Sequence, residues 1–254
     1  MGEAIVGGLM SAGVVNADRI TIADPSPARR AVLSERFGVS CVDDGVAALP
    51  ADLVIVAVKP QVIDEVLGGL SALLGRSLVV SIAVGVSSAR LEALLPEGTA
   101  VVRVMPNTPA LVGEGMSVVS GGVQATAEQV DLVRALFATL GSALVLDERH
   151  QDAAAAISGS GPAYLALVVE ALARAGVRHG LPKDVAQVLA VQTMRGTADL
   201  LETSGMQPSE LIDGVSSPGG TTIAAIEVLE ARSVRAAFAD AVTANIRRAE
   251  ELAT

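Results

Sequence analysis

The stretch Leu53-Val54-Ile55-Val56-Ala57-Val58, closed by Lys59-Pro60, decides how the first half of the chain folds. It is apolar throughout, with no polar alternation. A strand of that kind is buried on both faces, the condition of a parallel strand between two helical layers. Pro60 has no N–H for a ladder and suits the start of a helix, so the strand stops there. Outward from it, short apolar runs predict further strands at Ile20–Ala23, Leu78–Val84, Ala100–Met105 and Ala143–Leu146. Helical patterns fall between them at Gly2–Ala12, Pro27–Phe37, Gln61–Leu74, Ser88–Leu95 and Ala127–Leu140. This alternation predicts an α/β, doubly wound, Rossmann-like parallel sheet over residues 1–148. One feature departs from the plan. Helix Gly2–Ala12 opens the chain, whereas such domains begin with a strand and a Gly-rich turn. The first strand and most of the turn are therefore read as missing.

After Asp147 the strand pattern ends. Long helical patterns follow at Pro162–Val177, Lys183–Glu202, Thr221–Glu230 and Val234–Leu252, punctuated by Gly180-Leu181-Pro182 and Ser204–Pro208. An all-helical domain over 149–254 is expected. Leu165, Leu167, Val168, Val169 and Leu172 surround much of the first of these helices. A second subunit is the natural cover for them.

Composition narrows the function. The 254 residues carry a formal charge of −10, and no basic face is visible, which argues against nucleic-acid and anionic-membrane partners. The single Cys41 excludes an internal disulfide and points to a reducing compartment, the cytoplasm. His150, His179 and Cys41 are far apart and show no metal-ligand spacing. Both histidines read as structural or exposed, Cys41 as a small core residue, and Asp147-Glu148 as a surface at the domain joint. The uncharged run Ala153–Val169 raises the question of a membrane span. Ser158-Gly159-Ser160-Gly161-Pro162 is expected to break it, so no membrane is expected.

Several short motifs carry chemistry. Lys59 is one of only two lysines and follows a strand directly, where ligands of open α/β sheets bind. Met105-Pro106-Asn107-Thr108-Pro109 follows the strand Ala100–Met105 in the same way. After Ile20–Ala23 comes Asp24-Pro25-Ser26-Pro27. Ser26 and Pro27 suit a helix cap and first turn, Asp24 suits a ribose 2′-hydroxyl, and Arg29 with Arg30 suits a 2′-phosphate. Ser158–Pro162 reads equally as a ligand-approaching backbone and as a flexible joint. The sharpest signal is Ser216-Ser217-Pro218-Gly219-Gly220-Thr221-Thr222, just ahead of the apolar pattern Ile223, Ile226, Leu229. A helix start with two glycines before it and free N–H groups is an anion site suited to a carboxylate or phosphate.

Taken in order, Gly2-Glu3-Ala4-Ile5, Val58-Lys59-Pro60, Met105–Pro109, Ser158–Tyr164 and Ser216–Thr222 resemble the Δ1-pyrroline-5-carboxylate reductase family over essentially the whole chain. The resemblance implies a Rossmann domain, a helical dimerisation domain and reduction of a cyclic imine to L-proline, the last step of proline biosynthesis. It implies NADPH as cofactor, with NADH as the second choice, and a homo-oligomer built from dimers. It places Ser217, Pro218, Gly219, Gly220, Thr221 and Thr222 at the substrate. It places Gly2, Asp24, Ser26, Asp44, Ala57, Val58, Lys59, Pro60 and Asn107 at the dinucleotide. Gly2 stands for the third glycine of the family's G-x-G-x-x-G turn, and the expected reason for the absent remainder is a start assigned too far downstream. Asp44 stands where the family often has Asn. Hydride transfer needs positioning rather than a nucleophile or a metal. Thr222 is the expected catalytic residue, donating a hydrogen bond to the imine nitrogen. Two other readings are a reductase of the β-hydroxyacid dehydrogenase type, which Lys183 fits poorly, and an inactive oligomerising remnant.

Overall fold

The computed structural model describes residues 1–253. Two compact units emerge: one from Met1 to Ser160 together with the chain end from Ile246, the other from Gly161 to Asn245.

The first unit holds seven strands: β1 (Thr21–Ala23), β2 (Ser40–Val42), β3 (Leu53–Val56), β4 (Leu78–Ser81), β5 (Val101–Met105), β6 (Gly115–Gly121) and β7 (Gly141–Val145). Its main helices are α1 (Gly2–Ser11), α2 (Pro27–Phe37), α3 (Ile63–Leu70), α4 (Ser88–Ala93), α5 (Ala127–Ala138) and the short α6 (Gln151–Ala154). The central sheet runs β3-β4-β5-β6-β7. Alternate residues of its inner strands face opposite layers. Val79 and Val101 pack with Ile63, Leu67 and Leu91 of α3 and α4, while Val80, Val102 and Val104 pack with Ile5 and Leu9 of α1 and Val133 and Phe137 of α5. Burial on both faces is why the runs of valine show no alternation.

Four expectations change. The strand expected at Leu53–Val58 leaves the sheet after Val56, and that expected at Leu78–Val84 leaves after Ser81. Ala57, Val58 and Lys59 thereby become loop backbone at the carboxyl edge. Two strands went unforeseen: β2, only three residues long, and β6, rich in Gly and Ser. The sheet is not wholly parallel, since β6 runs antiparallel to β5 and β7 parallel to β6. Finally, β1 and β2 form a separate parallel pair, and no ladder joins them to β3 among the described residues. In the doubly wound order 3-2-1-4-5-6 the strands β2, β1, β3, β4 and β5 take the places 3, 2, 4, 5 and 6.

The expected joint at Ser158–Pro162 is not a loop. The chain is helical from Glu148 to Arg178, a run long and apolar enough, by length and composition alone, to cross a membrane. Within it, Ala155–Gly159 is a π turn. The segment just ahead of it belongs to the sheet unit, because buried Gln151 donates to the carbonyls of Arg103 and Val118 and to Ser120 Oγ. Glu148, expected at a surface, is drawn in by α4 and β5. It accepts from the backbone N–H and hydroxyl of Ser88 and pairs with Arg103 at 3.1 Å. Burial pushes the Glu148 carboxyl up, but the Ser88 bonds and the Arg103 guanidinium outweigh it and hold the carboxyl below the ordinary 4.5. A carboxylate that ionises more readily when folded contributes stability fully above its unfolded value and loses it as pH falls through the folded one. Glu148→Gln is therefore expected to lower stability at neutral pH and to flatten its decline below about pH 5. Urea titrations at a series of pH values read this, and parallel curves for the two proteins would refute it.

The second unit contains α7 (Gly161–Arg178), α8 (Lys183–Ser204), α9 (Pro208–Val215), α10 (Thr221–Ala231) and most of α11 (Val234–Ala253). Helix α9, hidden in the sequence between a proline and the glycine-rich motif, was not foreseen. The α7–α8 pair packs closely through small residues. A Cβ on Gly176 would lie 3.2 Å from that of Ala186, and Ala186 and Ala190 are buried. Most larger apolar side chains remain uncovered, among them Leu165, Leu167 and Leu172 of α7 and Val188 and Leu189 of α8.

Candidate active site

The carboxyl ends of β3, β4 and β5 lie in register, with Val56 opposite Ser81 and Ser81 opposite Arg103. Ala57, Val58, Lys59 and Pro60 follow directly on β3, and Asn107 follows β5. Helix α1 starts beside them. A Cβ on Gly2 would lie 3.5 Å from that of Ala57, so the helix start approaches the strand end closely. No side chain caps this helix, and its first N–H groups are left for another acceptor. That arrangement fits the pyrophosphate of a dinucleotide. Lys59 is exposed and enters none of the ion pairs among the described residues.

The residues expected to meet the adenosine spend more of their polar groups within the protein than foreseen. Asp24 ends β1, and one of its oxygens accepts the Ser26 N–H at 2.8 Å. Ser26 caps α2 through the Arg29 N–H, its structural role. Arg30 donates to the Asp24 carbonyl at 2.7 Å, and Arg29 and Arg36 both pair with Glu3. The hydrogen bond from Arg29 leads in holding the Glu3 carboxyl below its usual range. Asp44 accepts the Val46 and Ala47 N–H groups and so caps the turn after β2. The expected pair Arg29–Arg30 is thus engaged inside the protein, and Asp24 offers a carboxylate where a ribose hydroxyl would donate. Asp24→Ser is expected to tighten NADPH relative to NADH about tenfold, the size of one lost charge repulsion. Fluorescence titration with each dinucleotide reads this, and an unchanged ratio would refute it.

Asn107 was expected to touch the dinucleotide, yet both ends of its amide are spent within the protein. Nδ2 donates to the Ser158 carbonyl and Oδ1 accepts the Met116 N–H, each at 2.9 Å. Cys41 is half-buried on β2 rather than in the core. A concavity of about 700 Å³ lined by Gly121, Val130, Asp131, Leu146, Asp147 and Glu148 lies at the opposite strand ends. Its acidic lining does not suit an anionic cofactor.

In the helical unit, α9 ends at Val215 and the chain turns over Ser217-Pro218-Gly219-Gly220. The Gly220 N–H closes the turn on the Ser217 carbonyl at 2.9 Å. Proline at the second place and glycine at the third match a type II turn, and Gly219 has the required positive φ of 67°. A side chain on Gly220 would run into the Ser217 hydroxyl and lie 3.0 Å from the Ser217 carbonyl oxygen. Gly220 then leads into α10 without any side-chain cap. Neither Thr221 nor Thr222 spends its hydroxyl on that cap. Thr222 is half-buried, and its hydroxyl makes no hydrogen bond among the described residues. Ser216, the first residue of the motif and one residue ahead of the turn, holds a buried hydroxyl without a partner among the described residues, although no site role was expected of it. The turn leaves a helix start open to an anion, which is the chemistry expected of it.

A sheet of this winding, with a tight helix start at its carboxyl edge, has the plan of a dinucleotide-binding domain. Residues 1–85 match the family model "NADP oxidoreductase coenzyme F420-dependent", and residues 148–252 match "Pyrroline-5-carboxylate reductase dimerisation". The chain is 46% identical to pyrroline-5-carboxylate reductase of Corynebacterium melassecola, over 99% of this chain and 95% of that one. A solved pyrroline-5-carboxylate reductase from Coxiella burnetii superposes with a TM-score of 0.94 at 36% identity, covering 100% of this chain and 95% of that one. The Plasmodium falciparum pyrroline carboxylate reductase, solved with NADP bound, gives 0.90 at 29% identity and the same coverage. The chain belongs to the pyrroline-5-carboxylate reductase family.

Proposed function

We propose that this chain reduces Δ1-pyrroline-5-carboxylate to L-proline with a nicotinamide dinucleotide, NADPH or NADH. The observation that carries this is the Ser217–Gly220 turn, which opens an uncapped helix start to the substrate carboxylate. When bound, the reduced dinucleotide supplies the hydride for the imine carbon. The C=N π pair then passes to nitrogen, which holds the proton of the product amine. Thr222 donates its hydroxyl to that nitrogen, with Thr221 and the turn backbone holding the carboxylate. On the dinucleotide side, the α1 start at Gly2 takes the pyrophosphate, Ala57–Pro60 lines the strand end, and Asp24 faces the adenosine ribose. The β-hydroxyacid reading would need Lys183 as its catalytic lysine, but Lys183 is the exposed first residue of α8.

Leu165, Leu167 and Leu172 of α7 and Val185, Val188 and Val191 of α8 are all exposed, and large apolar side chains gathered on neighbouring helices call for a cover. A second copy covers them, giving a cytoplasmic homo-oligomer built from dimers. The test is to follow dinucleotide oxidation with pyrroline-5-carboxylate, identify L-proline as product, and measure the mass in solution by light scattering. Turnover with either dinucleotide by a multimer is expected. No turnover with either would overturn the assignment, and an active monomer would overturn the assembly.

A further inference from the structure

The two motifs Met105-Pro106-Asn107 and Ser158-Gly159-Ser160-Gly161-Pro162 are physically coupled. In an α-helix the Ser158 carbonyl would accept the N–H four residues on, but that residue is Pro162, which has none. A proline ring also crowds the carbonyl four residues earlier. The chain answers with the π turn Ala155–Gly159, in which the Ser160 N–H bonds the Ala155 carbonyl at 3.0 Å. Ser158 Oγ donates to the Ala154 carbonyl at 2.9 Å. The orphaned Ser158 carbonyl is met by Asn107 Nδ2 at 2.9 Å, while Asn107 Oδ1 anchors on the Met116 N–H. Asn107 is nearly buried, at 8% exposure, so this amide has little freedom to rotate away. The turn sits on the carboxyl edge of the sheet, since a Cβ on Gly159 would come within 2.9 Å of Met105 Cε at the end of β5. Single π turns within helices recur at functional sites.

We propose that Asn107 is a positioning residue that acts through the Ser158 carbonyl, holding the π turn 155–159 against the ligand edge of the sheet. It does this without touching the dinucleotide. This rests on the reductase reading, which wild-type turnover tests by itself. Asn107→Asp keeps the acceptor for Met116 but removes the donor to Ser158. Three results are expected. Hydrogen exchange over 155–160 accelerates in the substrate-free protein. kcat for pyrroline-5-carboxylate falls about tenfold, as for a modest misplacement of a reacting group. The dissociation constant of the dinucleotide stays within about twofold. Adding Pro162→Ala restores an N–H to the Ser158 carbonyl, and both exchange protection and kcat are expected to recover. Weakened dinucleotide binding with unchanged exchange would overturn the proposal in favour of direct contact. Protection that returns without kcat would overturn it too, as would an Asn107→Asp protein indistinguishable from wild type. Should Asn107→Asp fail to fold, Pro162→Ala combined with Asn107→Ala is the test. Pro162→Ala is expected to make Asn107→Ala harmless to exchange over 155–160, and a double variant still deprotected there overturns the proposal.

Discussion

Thr222→Ala is expected to lower kcat about a hundredfold while KM for pyrroline-5-carboxylate changes little, because a positioned proton or hydrogen-bond donor contributes on that scale. The expectation follows from where Thr222 sits. It is the second residue of α10, past a helix start that no side chain caps, and its hydroxyl has no partner among the described residues. On the proposed reading the carboxylate is held by backbone N–H groups that the substitution leaves in place, so binding should survive while the nitrogen loses its donor. Thr222→Ser keeps a hydroxyl and should retain most of the activity. Steady-state kinetics of the two variants decide the matter. Wild-type kcat in Thr222→Ala would remove Thr222 from the chemistry, and a large rise in KM alone would make it a binding residue.

Arg103→Met is expected to cost roughly 3 kcal/mol of stability, the scale of removing one partner from a buried ion pair. Arg103 lies on the central strand β5 with only 8% of its side chain exposed. It pairs at 3.1 Å with Glu148, just ahead of α6, and at 3.5 Å with Asp152 within α6. Without it, Glu148 keeps only its bonds from Ser88, and the carboxylates lose their counter-charge in a partly dry setting. The double variant Arg103→Met with Glu148→Gln should recover part of the loss, since no uncompensated charge remains. Urea unfolding followed by circular dichroism measures both. An unchanged midpoint for Arg103→Met would show that the cluster is solvated well enough to be inert.

Much of this protein can be read along the chain. The valine-rich runs announce a sheet covered on both faces, and the Pro-Gly-Gly-Thr-Thr stretch announces an open helix start, because both are local patterns of residue type. What escaped reading was non-local. Strand β6 is short of apolar residues and holds its place through ladders to β5 and β7. Glu148 looked like surface because its partners, Ser88 and Arg103, are 60 and 45 residues away. Arg29 looked free for a phosphate because Glu3 lies on another helix, 26 residues earlier.

The sequence by itself determined the Rossmann-like class of the first half, the helical second half, the family and the glycine-rich turn that opens α10. All of these depend on periodicity, on glycine and proline, and on hydroxyls next to one another in the chain. Only the tertiary structure decided which side chains were already spent. It showed the Asn107 amide bonded to the Ser158 carbonyl and the Met116 N–H, and it drew Glu148 inward. The reason is that a hydrogen bond is a property of two groups in space, and the amide of Asn107 meets its partner 51 residues further along the chain.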